Sequence, residues 1–94
     1  MGQGGAGPDI LFLAAGFLLH QILIESDRPQ RALEVADWLL ERDSDSLRAQ
    51  LAKATSYQRL GEPLQAEEVL RISLELAPGN PRIAGALARS YRER

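Results

Sequence analysis

The sequence predicts an all-α fold, an antiparallel helix-hairpin stack of five helices. Three observations carry this. Apolar residues recur at spacings of three and four, as in Ala32, Leu33, Val35, Ala36, Leu39 and Leu40, with Glu34, Asp37, Glu41 and Arg42 between them. Helix-breaking clusters (Asp27-Arg28-Pro29, Asp43-Ser44-Asp45-Ser46, Leu60-Gly61 and Pro78-Gly79-Asn80-Pro81) cut the pattern into short rods joined by tight turns. The pattern also returns on itself after thirty-four residues.

Residues 1–9 are glycine-rich and read as a flexible N-terminal segment. The opening Met-Gly invites a myristoylation reading, but that pattern wants Ser or Thr where Ala6 stands. No export signal is apparent, so a cytoplasmic location is expected. Ile10 to Ile24 is the most apolar stretch and has no charged residue. It falls short of the roughly twenty residues that cross a bilayer, and His20 and Gln21 interrupt it, so a membrane span is not expected. As a helix it is apolar on nearly every face, a pattern normally buried all round. One following helix can cover one side of it. The other side should meet something else.

Asp27-Arg28-Pro29-Gln30 reads as the start of the second helix, with Asp27 as cap, Pro29 in the first turn and Gln30 completing a capping box. Trp38, the one tryptophan, should pack against a neighbouring helix. Asp45 or Ser46 can cap a third helix from Leu47 to Leu60. Gly61 supplies the permissive backbone of a tight turn into a fourth helix, Glu62 to Leu76, which Pro78 ends. Asn80-Pro81 then caps and opens a fifth, through Ile83, Ala84, Leu87, Ala88 and Tyr91.

Shifted by thirty-four positions, Leu13 falls on Leu47, Ala15 on Ala49, Pro29 on Pro63, Ala32 on Ala66, Glu34 on Glu68, Val35 on Val69, Leu40 on Leu74 and Glu41 on Glu75. A second shift puts Arg82 on Arg48, Ala86 on Ala52, Ala88 on Ala54 and Tyr91 on Tyr57. Ala54 and Ala66 suit places where two helices approach closely, and Tyr57 suits the gap between hairpins. With Gly61 and Pro78, these residues resemble a tetratricopeptide repeat, whose small, aromatic, glycine, alanine and proline positions follow in that order. The resemblance implies a right-handed superhelix over residues 10–94: one repeat at 13–46, a second at 47–80 and a closing helix at 81–94. The first repeat departs from the pattern. His20 stands at a small position, Asp27 at the turn glycine and Ser44 at the proline.

The inventory of reactive side chains argues against an enzyme. The chain has no cysteine and one histidine, and no Ser/His/Asp or HExxH arrangement is present. No cofactor and no metal site are expected: His20 has no company of donors, and the glycines of residues 1–7 follow no strand that would make a phosphate loop. Net charge is −2 but uneven. Residues 1–46 hold eight acids against three arginines; residues 47–94 hold eight bases against five acids. An acidic front and a basic back suit head-to-tail self-contact or an asymmetric partner. The overall acidity, and arginines without interleaved aromatics, argue against nucleic acid.

In the family resembled, the first helix of each hairpin lines a concave groove. Carried over, this implies a partner-binding set of Phe17, Gln21, Ile24, Arg48, Leu51, Thr55, Arg59, Arg82, Arg89 and Arg92. Such a groove has an apolar floor at one end and an arginine wall at the other, suited to a helical or extended protein segment with apolar anchors and acidic neighbours. Phe17 and Ala52 stand where the co-chaperones that hold heat-shock protein tails need lysine and asparagine, so that partner class is not expected. About three stacked repeats are usually needed for stability, and this chain has two and a half. Self-association, a dimer first of all, is therefore expected through the apolar first helix, with Leu11, Phe12, Leu18 and Ile22 in the contact. The principal reading is a non-enzymatic adaptor or assembly scaffold. The size and apolar first helix are also similar to the small chaperones of bacterial type III secretion. A membrane-peripheral scaffold anchored by that helix is a third reading.

Overall fold

A computed structural model of the protein describes residues 10–93. The flexible segment expected at 1–9 lies outside the described residues, as does Arg94. The described residues form five α-helices and no strand: α1 (Ile10–Glu25), α2 (Pro29–Arg42), α3 (Leu47–Arg59), α4 (Pro63–Leu76) and α5 (Pro81–Glu93). Each helix packs on the next, and α1 also reaches α3, so the chain is a layered stack of hairpins.

The two hairpin turns are copies of one another in backbone. At the end of α1 the Arg28 N–H donates to the Leu23 carbonyl at 2.8 Å and the Asp27 N–H to that of Ile24 at 3.1 Å. At the end of α3 the Glu62 N–H donates to Tyr57 at 2.9 Å and the Gly61 N–H to Gln58 at 3.1 Å. This paired pattern closes a helix through one left-handed residue. That residue is Gly61 in the second turn, at φ 76°, and Asp27 in the first, at φ 59°. Asp27 therefore does not cap α2. The position before Pro29 is Arg28, at φ −123° and ψ 63° with no side-chain cap, matching Glu62 before Pro63 at −119° and 70°. The capping box expected from Asp27 and Gln30 is absent because the turn needs Asp27 in the glycine's place.

The other starts follow the expected chemistry. Ser46 Oγ accepts from the Ala49 N–H at 3.1 Å. Asn80 Oδ1 accepts from the N–H groups of Arg82 at 2.9 Å and Ile83 at 3.2 Å. Each bond satisfies a donor that the first turn of a helix leaves over.

Small residues set the helix spacing. Ala32, Ala36 and Ala66 are wholly buried, and Ala54 packs with Ala66, Val69, Leu70 and Leu87 in one cluster against which Tyr57 lies. In the first hairpin the close approach is made by Gly16. A Cβ there would stand 2.7 Å from Leu39 Cδ2 and 3.1 Å from Trp38 Cζ3. A side chain there would force Leu39 and Trp38 to shift, so glycine suits the close approach of α1 to α2. Trp38 thus packs on α1 as expected, and the Arg42 guanidinium lies over its ring, 4.0 Å from the ring centre.

Candidate functional site

The first helices of successive hairpins, α1, α3 and α5, lie side by side and make a furrow. One hollow of about 260 Å³ is lined by Phe17, Gln21 and Ile24 of α1, Arg48, Leu51 and Thr55 of α3, and Arg82 of α5. A second, of about 410 Å³, continues from Leu51, Thr55 and Arg82 to Gln58, Gly85, Ala86 and Arg89. The shared residues join the two hollows. Their linings contain arginines and no carboxylate. The side chains can stand there because one face of each helix, spaced by three and four, turns away from the hairpin core.

Of the residues named from sequence, Phe17, Gln21, Arg48, Leu51, Thr55, Arg82 and Arg89 line this furrow with part of each side chain accessible. Ile24 lies at its bottom and is 8 % exposed, so it backs the furrow as a core residue more than it offers a surface. Arg59 donates to the Ile24 carbonyl at 3.5 Å, a bond from α3 to the end of α1. Arg92 is exposed in the last turn of α5. The Arg48 guanidinium lies over the Phe17 ring, 4.1 Å from its centre, which fixes a cation against the apolar end of the furrow. Arg48, Arg82 and Arg89 form no ion pair among the described residues.

Two residues beneath the furrow were not picked out as a pair by sequence reasoning. His20 is buried at the small-residue position of α1, and its Nε2 lies 2.8 Å from Ser56 Oγ on α3. The Ser56 hydroxyl donates to the Ala52 carbonyl at 3.0 Å, which leaves its oxygen to accept from Nε2–H. Burial pushes the His20 imidazole below its ordinary pKa of 6.5, and the backbone carbonyl of Ala52 partly opposes this. The neutral ring ties the first hairpin to the second. Among the described residues, no group of three or more His, Asp or Glu is placed to hold a metal ion.

The four residues expected in an oligomer contact lie together elsewhere. Leu11, Phe12, Leu18 and Ile22 share one exposed arc of α1, with exposures of 48 to 79 %, and Ala15 and Leu19 complete the arc. Gly16, whose missing side chain brings Trp38 and Val35 beside this arc, went unnoticed in the sequence; a lone glycine inside an apolar helix was its signal. Among the described residues no helix is long and apolar enough to cross a membrane.

No curated protein matches the sequence. The family model described as tetratricopeptide repeat matches residues 23–91, and with five helices stacked in antiparallel hairpins, the chain belongs to the tetratricopeptide repeat family.

Proposed function

We propose that the protein holds an acidic segment of another protein in the furrow across α1, α3 and α5 and self-associates through the apolar arc of α1. As a member of its family the chain is a protein–protein interaction module; the mode is what is proposed. The observation that carries the groove reading is the lining: an apolar floor of Phe17 and Leu51 beside three arginines, with no carboxylate among them. A guanidinium bonds two carboxylate oxygens at once, so such a wall favours Asp or Glu spaced along an extended or helical segment whose apolar side chains reach the floor. The reading places the protein in the cytoplasm as an adaptor or assembly scaffold.

A fluorescently labelled peptide alternating leucine and glutamate is the test, followed by anisotropy at rising salt. Binding should weaken as salt rises. Arg48→Glu combined with Arg82→Glu should lower affinity at least about tenfold, as expected when two charge-assisted contacts become repulsive. Unchanged affinity in that variant would move the site off the furrow.

A further inference from the structure

The helix that opens each later hairpin buries one line of side chains against the hairpin before it. On α3 the line is Ala49, Lys53 and Ser56. Ala49 and Ser56 are 0 % exposed, Lys53 pairs with Asp37 of α2 at 2.9 Å, and Ser56 meets His20 of α1. Thirty-four residues on, α5 repeats it with Ile83, Leu87 and Ser90, all buried, and Leu87 sits in the cluster of Ala54, Ala66, Val69 and Leu70. Thirty-four residues back, the same line on α1 is Ala15, Leu19 and Ile22. All three are exposed, Leu19 at 46 % and Ile22 at 48 %. At two of the three places α1 carries a more apolar residue than α3 does, Leu for Lys and Ile for Ser. This is the stack's own docking face, with nothing among the described residues docked on it.

We infer that a second copy of this chain covers that face, the α1–α2 hairpins of two copies meeting about a two-fold axis near Ala15 and Leu19. The inference rests on the self-association in the proposed function and not on the groove. Charge favours a second copy. A two-fold contact sets each surface against itself, so any net charge on it would be repelled. No residue from Ile10 to Ile24 is charged, and the α2 margin carries both signs, Arg31 and Arg42 with Glu34 and Glu41. The α5 end is a poorer match, since its outer arc of Ala84, Ala88, Tyr91 and Arg92 has one large ring among alanines and a charge where α1 would bring leucine, isoleucine and phenylalanine.

Shape and area agree with charge. The face holds a hollow of about 430 Å³ bounded by Phe12, Ala15, Gly16, Leu19, Val35 and Trp38, with Glu34 of the α2 margin at its edge, room for a bulky side chain from the facing copy. The sixteen residues of α1 give a face about 24 Å long. Two packed helices are about 20 Å across, so a pair of such faces buries on the order of 1,000 Å², the lower bound for a specific interface.

The chain has no cysteine, so one introduced thiol reports cleanly. Ala15→Cys treated with a short bis-maleimide should give a covalent dimer, and Ala84→Cys on α5 should not. Adding Leu19→Glu to Ala15→Cys should abolish the product with helicity retained, because a carboxylate buried without a partner weakens such a contact on the order of a hundredfold. A product formed only in a mixture of Ala15→Cys and Ala84→Cys would mean head-to-tail stacking and overturn the two-fold contact. A chain that dimerises by sedimentation while Ala15→Cys stays uncoupled would overturn this face and leave self-association standing. A chain monomeric at every concentration would overturn both.

Discussion

The first and second hairpins share one backbone and differ in how they fill it. Both turns use the same pair of closing hydrogen bonds and one left-handed residue, yet one has aspartate there and the other glycine. Both bury their small-residue position, yet one holds His20 and the other Ala54. A buried position on the second helices differs in the opposite sense: thirty-four residues separate Ala36 from Leu70, so the hairpin with the large His has a small Ala there, and the hairpin with the small Ala has the large Leu. The serine below follows suit. Ser56 has the His20 imidazole as donor, while its counterpart Ser90 lies buried with no hydrogen-bond partner among the described residues, because the residue standing in histidine's place is Ala54. Across these two hairpins the repeat geometry holds with total volume and turn type kept and identity at single positions changed.

Exchanging the fillings between the two hairpins should have the largest effect. Leu70→Ala should cost about 3 kcal/mol by opening a cavity at a wholly buried site. Ala54→His alone should cost about 2 kcal/mol by overpacking the cluster. Together they install the first hairpin's pair in the second and give Ser90 a donor. Urea denaturation should then show a combined loss smaller than the two single losses added, by about 1 kcal/mol. Strict additivity would deny the volume exchange.

The two helical glycines differ in what surrounds them. Gly16→Val should cost about 2 kcal/mol, since its Cβ alone would collide with Leu39 and crowd Trp38. Gly85→Ala in α5 meets nothing within 4 Å and should add about 0.5 to 1 kcal/mol in thermal or urea unfolding. The turns come next. Asp27→Gly should stabilise by about 0.5 kcal/mol by relieving left-handed backbone, and Gly61→Asp should destabilise by about 1 kcal/mol.

The subtlest effect is on pH. A folded pKa of His20 below the unfolded 6.5 means that the unfolded chain takes up the proton first as pH falls. The stability contributed by the neutral ring is complete above about pH 6.5 and drains as pH drops through the folded value. Stability measured from pH 7 to 5 should therefore fall more steeply in the parent than in His20→Gln. Equal slopes would show that the ring is not held neutral by its surroundings.

Much of the fold was legible because its signals are local. Apolar spacing, Gly61, Pro78, and the Ser46 and Asn80 caps each act within a few residues. Asp27 misled because an aspartate two residues before a proline is good cap chemistry, and what moved it was the register of the whole repeat. His20 and Ser56 are thirty-six residues apart, and neither is unusual alone. The furrow was legible through the family resemblance, which implied that Arg48, Leu51, Thr55, Arg82 and Arg89 share one surface. Ile24 went deeper than expected because every face of α1 reads alike, and an apolar helix does not announce which side its neighbour covers.

On its uncovered side α1 presents a docking face that the stack itself does not fill. Sedimentation equilibrium of the full chain over a wide concentration range tests it most directly. The mass should rise from one chain, 10.3 kDa, to twice that value and stop there. A mass of one chain throughout, with the helices intact, would contradict it.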